Sequence, residues 1–326
     1  MSTDSLTTPA VEVVAEADPG ARLAALRAPL GRWDVSVGPL GYLAGERQRL
    51  DGLTWQHFDV RRLGATIGAE ILGVDLTAPR PAPVVAELRQ ALLDYKVIFF
   101  RDQPLSAAQH VAFAKQFGEL EIHPFIPSNP DHPELVRFAK SADVGGYENG
   151  WHSDVSWRET PSMGAILHAL EVPPTGGDTL FSDMYAAYDS LDESTRAEVD
   201  AREAVHDFML AFSGQVPEDR REAMRAQYPQ VAHPVIRTHE ETGRKLVYVN
   251  RFFVDHIVGL EPAASDALIN RLADTADQIE HQCRWQWEPH SVAFWDNRAV
   301  QHYACSDYWP SVRVMERASV VGGRPA

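Results

Sequence analysis

The chain has 326 residues, 44% of them hydrophobic, and a formal net charge of −16, enough for one large domain or two small ones. The acidic balance, with no run of Lys or Arg, excludes nucleic acid and anionic membranes as expected partners, and no apolar stretch reaches the ~20 residues that cross a bilayer. No secretory leader pattern is seen, and Cys283 and Cys305 read as buried thiols, so a reducing cytoplasm is the expected setting.

Residues 1–55 are read as an N-terminal extension, disordered over its first twenty or so positions, with a short helix at Ala21–Ala28 stopped by Pro29. The packed domain is placed at residues 56–326. Thr66–Ile71 alternates like a strand. Pro83–Tyr95 reads as a helix with Val85, Leu88, Leu92 and Leu93 on one face, and Pro83 suits its first turn. Val97–Phe100 is a short apolar run typical of a buried strand. Ser106 is a candidate N-cap for a helix carrying Val111, Phe113 and Phe117.

Beyond His123-Pro124 short β-like runs follow: Leu135–Phe138, Ala165–His168, Thr179–Phe181 and Lys245–Val249. The turn-rich Pro174-Thr175-Gly176-Gly177-Asp178 separates two of them. A charged helical insert with a solvated face is expected from Leu191 to Arg225. A further helix is expected over Ala263–Gln282, with Leu268, Leu272 and Ile279 on one stripe. Cys283–Trp287, Ser291–Trp295 and Arg313–Val321 close the chain as strands. Many short strands with helical insertions predict an α+β fold with a jelly-roll core flanked by helices.

The chemistry centres on His152 and Asp154, in Trp151-His152-Ser153-Asp154, with His302 far downstream. Two histidines and one carboxylate can occupy one face of an octahedral metal and leave three positions open, the facial triad of non-haem Fe(II) oxygenases. In extended backbone, residues two apart point the same way, so His152 and Asp154 form one half of such a site and His302 the other. Arg313 and Arg317 add planar cations suited to a carboxylate such as the distal group of a 2-oxo acid. A zinc hydrolase could use the same ligands, but it gives Arg313 no purpose. A non-catalytic binding protein of the same fold would be expected to have lost a ligand. His168, His206, His256 and His290 are read as core or surface residues, and Trp285, Trp287 and Trp295 as core.

These motifs, with Pro174–Thr179, Trp295-Asp296-Asn297-Arg298, Gln301-His302-Tyr303, Leu63–Ala69 and Gly73–Leu76, resemble the taurine dioxygenase (TauD/TfdA) family of Fe(II)- and 2-oxoglutarate-dependent dioxygenases. The likeness runs from about Phe58 to about Gly323. It implies a double-stranded β-helix (jelly-roll) core. It implies Fe(II) on His152, Asp154 and His302, and 2-oxoglutarate held by Thr179 and Arg313, with O2 as second cosubstrate. It implies Arg317 against an anionic substrate group and a pocket lined by His123, Val155, Phe212 and Phe253. Ile126 stands where taurine enzymes have Tyr, and Glu148 where they have Asn, which argues against taurine itself. The substrate class implied is an organosulfonate or alkyl sulfate ester, oxidised with release of succinate and CO2. The alternative is a tailoring oxygenase that hydroxylates, desaturates or epoxidises a natural-product intermediate or other carboxylate. Asp154 disfavours halogenation, because halogenating relatives carry a small residue there. The resemblance also implies a homo-oligomer, dimer or tetramer, acting on a small molecule.

Overall fold

The structure, a computed structural model, describes residues 40–124, 126–145, 149–214 and 216–326. The helix expected at Ala21–Ala28 and the pocket role expected of Glu148 lie outside these residues. Helix α1 (Ala44–Asp51) is followed by β1 (Asp59–Arg62), β2 (Ala69–Leu72), α2 (Ala82–Tyr95), β3 (Val97–Phe100), α3 (Ala107–Ala114) and β4 (Leu135–Lys140). Next come β5 (Gly164–Glu171), β6 (Thr179–Asp183), α4 (Met184–Asp189), α5 (Glu193–Val199), β7 (Glu203–His206), α6 (Met209–Phe212) and α7 (Arg221–Gln227). The chain continues through β8 (Val231–Pro234), β9 (Ile236–Thr238), β10 (Lys245–Val247), β11 (Val254–Ile257) and α8 (Pro262–Ala273). It ends in β12 (Gln282–Trp285), β13 (Val292–Asp296), β14 (Val300–Ala304) and β15 (Arg313–Val320).

A seven-stranded sheet in the order β1-β2-β3-β13-β5-β15-β4 faces a three-stranded sheet in the order β12-β6-β14. Pairing is antiparallel except between β2 and β3. Val97 and Phe99 point between the sheets, with Ala293, Trp295, Phe181, Trp285 and Val300. Their neighbours Ile98 and Phe100 point the other way, onto Leu88, Leu92 and Phe113 of the covering helices. A strand buried on both faces has no polar alternation to show, which is why Val97–Phe100 reads as a continuous apolar run. Phe99 and Trp285 stack across the sheets with centroids 4.2 Å apart. The arrangement is the α+β jelly roll with flanking helices expected from the sequence.

Local signals account for several elements. Pro83 sits in the first turn of α2. Ser106 and Gln109 form a reciprocal capping box at the start of α3, satisfying two otherwise orphaned donors. Glu46 of α1 accepts from the buried Lys96 ammonium (2.6 Å) and from Arg244 (2.9 Å). The helix Ala44–Asp51 is thus tied to the core by a charge that is expensive to leave unpaired.

Six expectations need correction. Cys283 is buried, but Cys305 is only half-buried. Thr66–Gly68 is not strand; β2 begins at Ala69, after Gly68 takes φ +82. The strand at Lys245 stops at Val247, and that at Cys283 stops at Trp285. The insert after Leu191 is not one helical, solvated element: it contains β7, and its Phe208, Met209 and Phe212 pack on Val155 and Trp157. The helix from Pro262 ends at Ala273 and tightens into 3₁₀ turns, leaving Ile279 79% exposed.

Candidate active site

β14 carries His302 on the face turned toward the large sheet. His152 lies beside it: its N–H donates to the His302 carbonyl (3.1 Å), and the His302 N–H donates to the His152 carbonyl (2.8 Å). This reciprocal exchange sets the two side chains next to one another, with ring centroids 4.2 Å apart. The chain then turns away. Asp154 opens a turn in which Val155 has φ 47, a conformation that costs a β-branched residue roughly 1–3 kcal/mol.

Asn297, in the hairpin between β13 and β14, holds that turn. Its Oδ1 accepts from the Asp154 N–H (2.7 Å), and its Nδ2 donates to the carbonyls of Asp154 (2.9 Å) and Ser162 (3.1 Å). The hairpin is itself braced by Asp296, whose carboxylate takes Arg298 at 2.8 and 2.7 Å and His239 at 3.0 Å. Asn297→Ala should leave one donor and two carbonyls buried without partners, a destabilisation on the order of 3 kcal/mol. Losing this support should also weaken Fe(II) binding ~10–100-fold. Thermal denaturation and iron titration check both; wild-type iron affinity in the variant would remove Asn297 from the site.

The ligand atoms of His152, Asp154 and His302 lie within 4.8 Å of one another, and all three residues are buried. Asp154 Oδ1 is 3.9 Å from Nε2 of each histidine. His152 Nδ1 faces the Gly150 carbonyl at 2.8 Å. A carbonyl only accepts, so this assigns the proton to Nδ1 and leaves Nε2 as the ligand. Gly150 is required here: a Cβ would sit 2.3 Å from the Phe252 ring, which stacks on His152 with centroids 4.9 Å apart. Burial, helped by His152, lowers the His302 pKa to about 3, so its imidazole is neutral and able to ligate. Burial alone would raise the Asp154 pKa, but Arg317, His302 and His152 override it and bring it to about 2. Asp154 Oδ2 and His302 Nδ1 are buried without a hydrogen-bond partner among the described residues. A neutral His302 imidazole, the Nε2 of His152 turned to the site, an ionised carboxylate and an unsatisfied carboxylate oxygen fit a divalent cation.

The triad opens on a cavity enclosing, with its mouth, about 990 Å³. Every predicted pocket residue within the described chain lines it: His123, Ile126, Val155, Thr179, Phe212, Phe253, Arg313 and Arg317. Burial, then Arg317 and Arg158, lowers the His123 pKa to about 3, so it faces the cavity uncharged, and its Nδ1 accepts from the Ile126 N–H (3.1 Å). Thr179 Oγ1 accepts from Trp287 Nε1 (3.0 Å). Gly177, at φ +69, passes so close to Arg313 that a Cβ would lie 3.1 Å from its Cδ, which gives the double glycine before Asp178 a purpose. Arg317 donates to Asp154 Oδ1 at 2.7 Å, while its Nε is buried with no acceptor among the described residues. Trp295 is both core and wall, with its ring 4.9 Å from that of His302. Lys140, Phe138, Trp157 and Phe252 also line the cavity and were not foreseen. The expected strand ended at Phe138; extending its alternation by one period puts Lys140 on the same face.

Residues 59–319 match the model of the taurine catabolism dioxygenase TauD, TfdA family. An alkylsulfatase of Acinetobacter baylyi is 33% identical over 275 residues, covering 82% of this chain and 86% of that protein. An alpha-ketoglutarate-dependent sulfate ester dioxygenase of Pseudomonas putida is 34% identical over 275 residues, covering 82% and 90%. The crystal structure of a taurine dioxygenase from Burkholderia xenovorans superposes with a TM-score of 0.72 at 38% identity, covering 83% of this chain and 93% of that one. With the buried His-Asp-His cluster, these findings identify the chain as a member of the TauD/TfdA family and an Fe(II)- and 2-oxoglutarate-dependent dioxygenase.

Proposed function

We propose that the enzyme hydroxylates a small organosulfonate or alkyl sulfate ester at the carbon next to the anionic group, giving a product that fragments to an aldehyde and sulfite or sulfate. The observation that carries this is Arg317: a buried guanidinium in a largely apolar cavity, beside the metal-ligand carboxylate, with its Nε unsatisfied among the described residues. Asp154 takes one of the Arg317 N–H donors, and the unsatisfied Nε–H calls for a further acceptor, which an anionic substrate group supplies. The relatives named for alkyl sulfates and sulfate esters favour the sulfur oxyanion.

In this reading His152, Asp154 and His302 hold Fe(II), and Thr179 and Arg313 hold the distal carboxylate of 2-oxoglutarate. Bound there, Fe(II) supplies the redox chemistry that couples 2-oxoglutarate decarboxylation to substrate oxidation by O2. The protein's own contribution is positioning. The Gly150 carbonyl fixes the His152 ring. Arg317 fixes the substrate's anionic end, so that its neighbouring C–H bond faces the metal ligands. Val155, Phe212 and Phe253 form an apolar wall that excludes water. His123 and Ile126 complete the pocket around the substrate.

Sulfite or sulfate release and succinate formation, measured together on alkyl sulfates, sulfonates and carboxylates, test this reading. Arg317→Met should raise the KM for the anionic substrate by ~30-fold or more while 2-oxoglutarate still decays without coupling. Full activity on carboxylates alone would instead support a tailoring oxygenase. Among the described residues no helix is long and apolar enough to cross a membrane. A cytoplasmic homo-oligomer, dimer or tetramer, belongs to the same reading, and light scattering checks its oligomeric part.

A further inference from the structure

Lys140 ends β4 and Arg313 begins β15, and the two are direct cross-strand partners. Both are buried, Lys140 at 7% and Arg313 at 6% exposure, and both line the cavity with Thr179. Like charges directly opposite one another across a ladder oppose folding. An anion between them reverses that sign. Phe138, one period earlier on β4, has the Arg317 guanidinium 5.2 Å from its ring centroid, so it separates Lys140 from the Arg317 end of the cavity. Lys140 therefore belongs with Arg313 and not with Arg317. Both cations also have contacts of their own within the protein; what they share is one strand face and one cavity, and Trp287, 6.0 Å from the Arg313 guanidinium, donates to the Thr179 hydroxyl that lines the same cavity.

We propose that Lys140 is a second cation for the distal carboxylate of the 2-oxo acid cosubstrate, making with Arg313 and Thr179 a two-cation seat that selects dicarboxylic over monocarboxylic 2-oxo acids. This rests on the reading that Arg313 and Thr179 take that carboxylate. Arg313 brings a flat fork and Lys140 a point charge, so one carboxylate can accept from both without competing for the same geometry.

The test is anaerobic binding of 2-oxoglutarate, and separately of 2-oxobutanoate, to the Fe(II)-loaded protein, read by the visible chelate band. Thermal stabilisation of the protein by succinate, with no metal added, gives a second readout. Lys140→Met should weaken 2-oxoglutarate binding about tenfold or more, leave 2-oxobutanoate binding unchanged and abolish the succinate shift. Lys140→Arg should restore most of the 2-oxoglutarate affinity. If the methionine variant does not fold, Lys140→Gln keeps a polar end and is read the same way. Equal 2-oxoglutarate affinity in wild type and variant overturns the proposal, as does equal weakening of both 2-oxo acids, which marks a structural role. Loss confined to binding of an organic sulfate also overturns it and moves Lys140 to the substrate. If the wild-type protein itself binds no 2-oxoglutarate, the underlying reading fails first, and the two failures are distinguishable.

Discussion

Asp154→Ala abolishes Fe(II) binding and turnover in the expected result, and it also destabilises the protein. The first effect follows from the donor set. Asp154 is the carboxylate of the triad, and its Oδ1 lies 3.9 Å from both imidazole Nε2 atoms. The loss should exceed the ~10–100-fold that removal of an outer supporting residue costs. The second effect follows from Arg317, which donates to the same oxygen at 2.7 Å from a side chain only 7% exposed. Deleting the carboxylate leaves that guanidinium buried without its counter-ion, which costs ~3–5 kcal/mol. Combining Asp154→Ala with Arg317→Met should therefore recover much of the stability and none of the iron binding. Iron titration and urea unfolding of the single and double variants separate the two roles. Iron bound normally by the single variant would refute the triad, and stability equal to wild type would show that the Arg317 pair contributes little to the fold.

Arg313→Ala should have the next largest effect, and it should fall on the cosubstrate. Arg313 is buried at the start of β15, between the Trp287 and Tyr308 rings at 6.0 and 5.7 Å. Its approach is set by Gly177, whose missing Cβ leaves room for its stem. A carboxylate bound in that seat would lose a charge-assisted, bidentate partner, worth about 2–5 kcal/mol, so the 2-oxoglutarate KM should rise ~30-fold or more. The Fe(II) affinity should change little, because the supports of the triad come from Gly150, Asn297 and Arg317. Steady-state kinetics at varied 2-oxoglutarate decides this. An unchanged cosubstrate KM would assign the carboxylate to another residue.

The parts of the fold legible in the sequence are those where one interaction dominates locally. Val97–Phe100 is apolar because both of its faces are buried, and Ser106 with Gln109 caps α3 whatever lies beyond it. The insert after Leu191 does not show its strand or its buried turn in the sequence because charge density dominates its composition. The short Phe208–Phe212 stretch that walls the pocket is too brief to show a period and gains its place only from Val155 and Trp157 across the chain. Leu268 and Leu272 mark a true helix face, but the backbone tightens after Ala273 and the stripe no longer reaches Ile279.

The site was legible to a different degree. His152, Asp154, His302 and Arg313 carry chemistry that their residue types announce, whereas Thr179 stands out only through the family resemblance. The support of Asp154 by Asn297 depends on a hairpin meeting a turn, which no spacing reveals. Lys140 was hidden by a strand boundary drawn one period short. Phe252, rather than its predicted neighbour Phe253 alone, reaches the His152 ring because Gly150 lets it approach.

The most direct measurement is anaerobic addition of Fe(II) and then 2-oxoglutarate to the wild-type protein and to Asp154→Ala, watched for the weak visible charge-transfer band of the chelate. A saturable band in the wild type, absent from the variant, is the predicted result: metal ligands and cosubstrate seat would then be acting on one ion. A folded, iron-loaded wild-type protein that shows no band on addition of 2-oxoglutarate would contradict it.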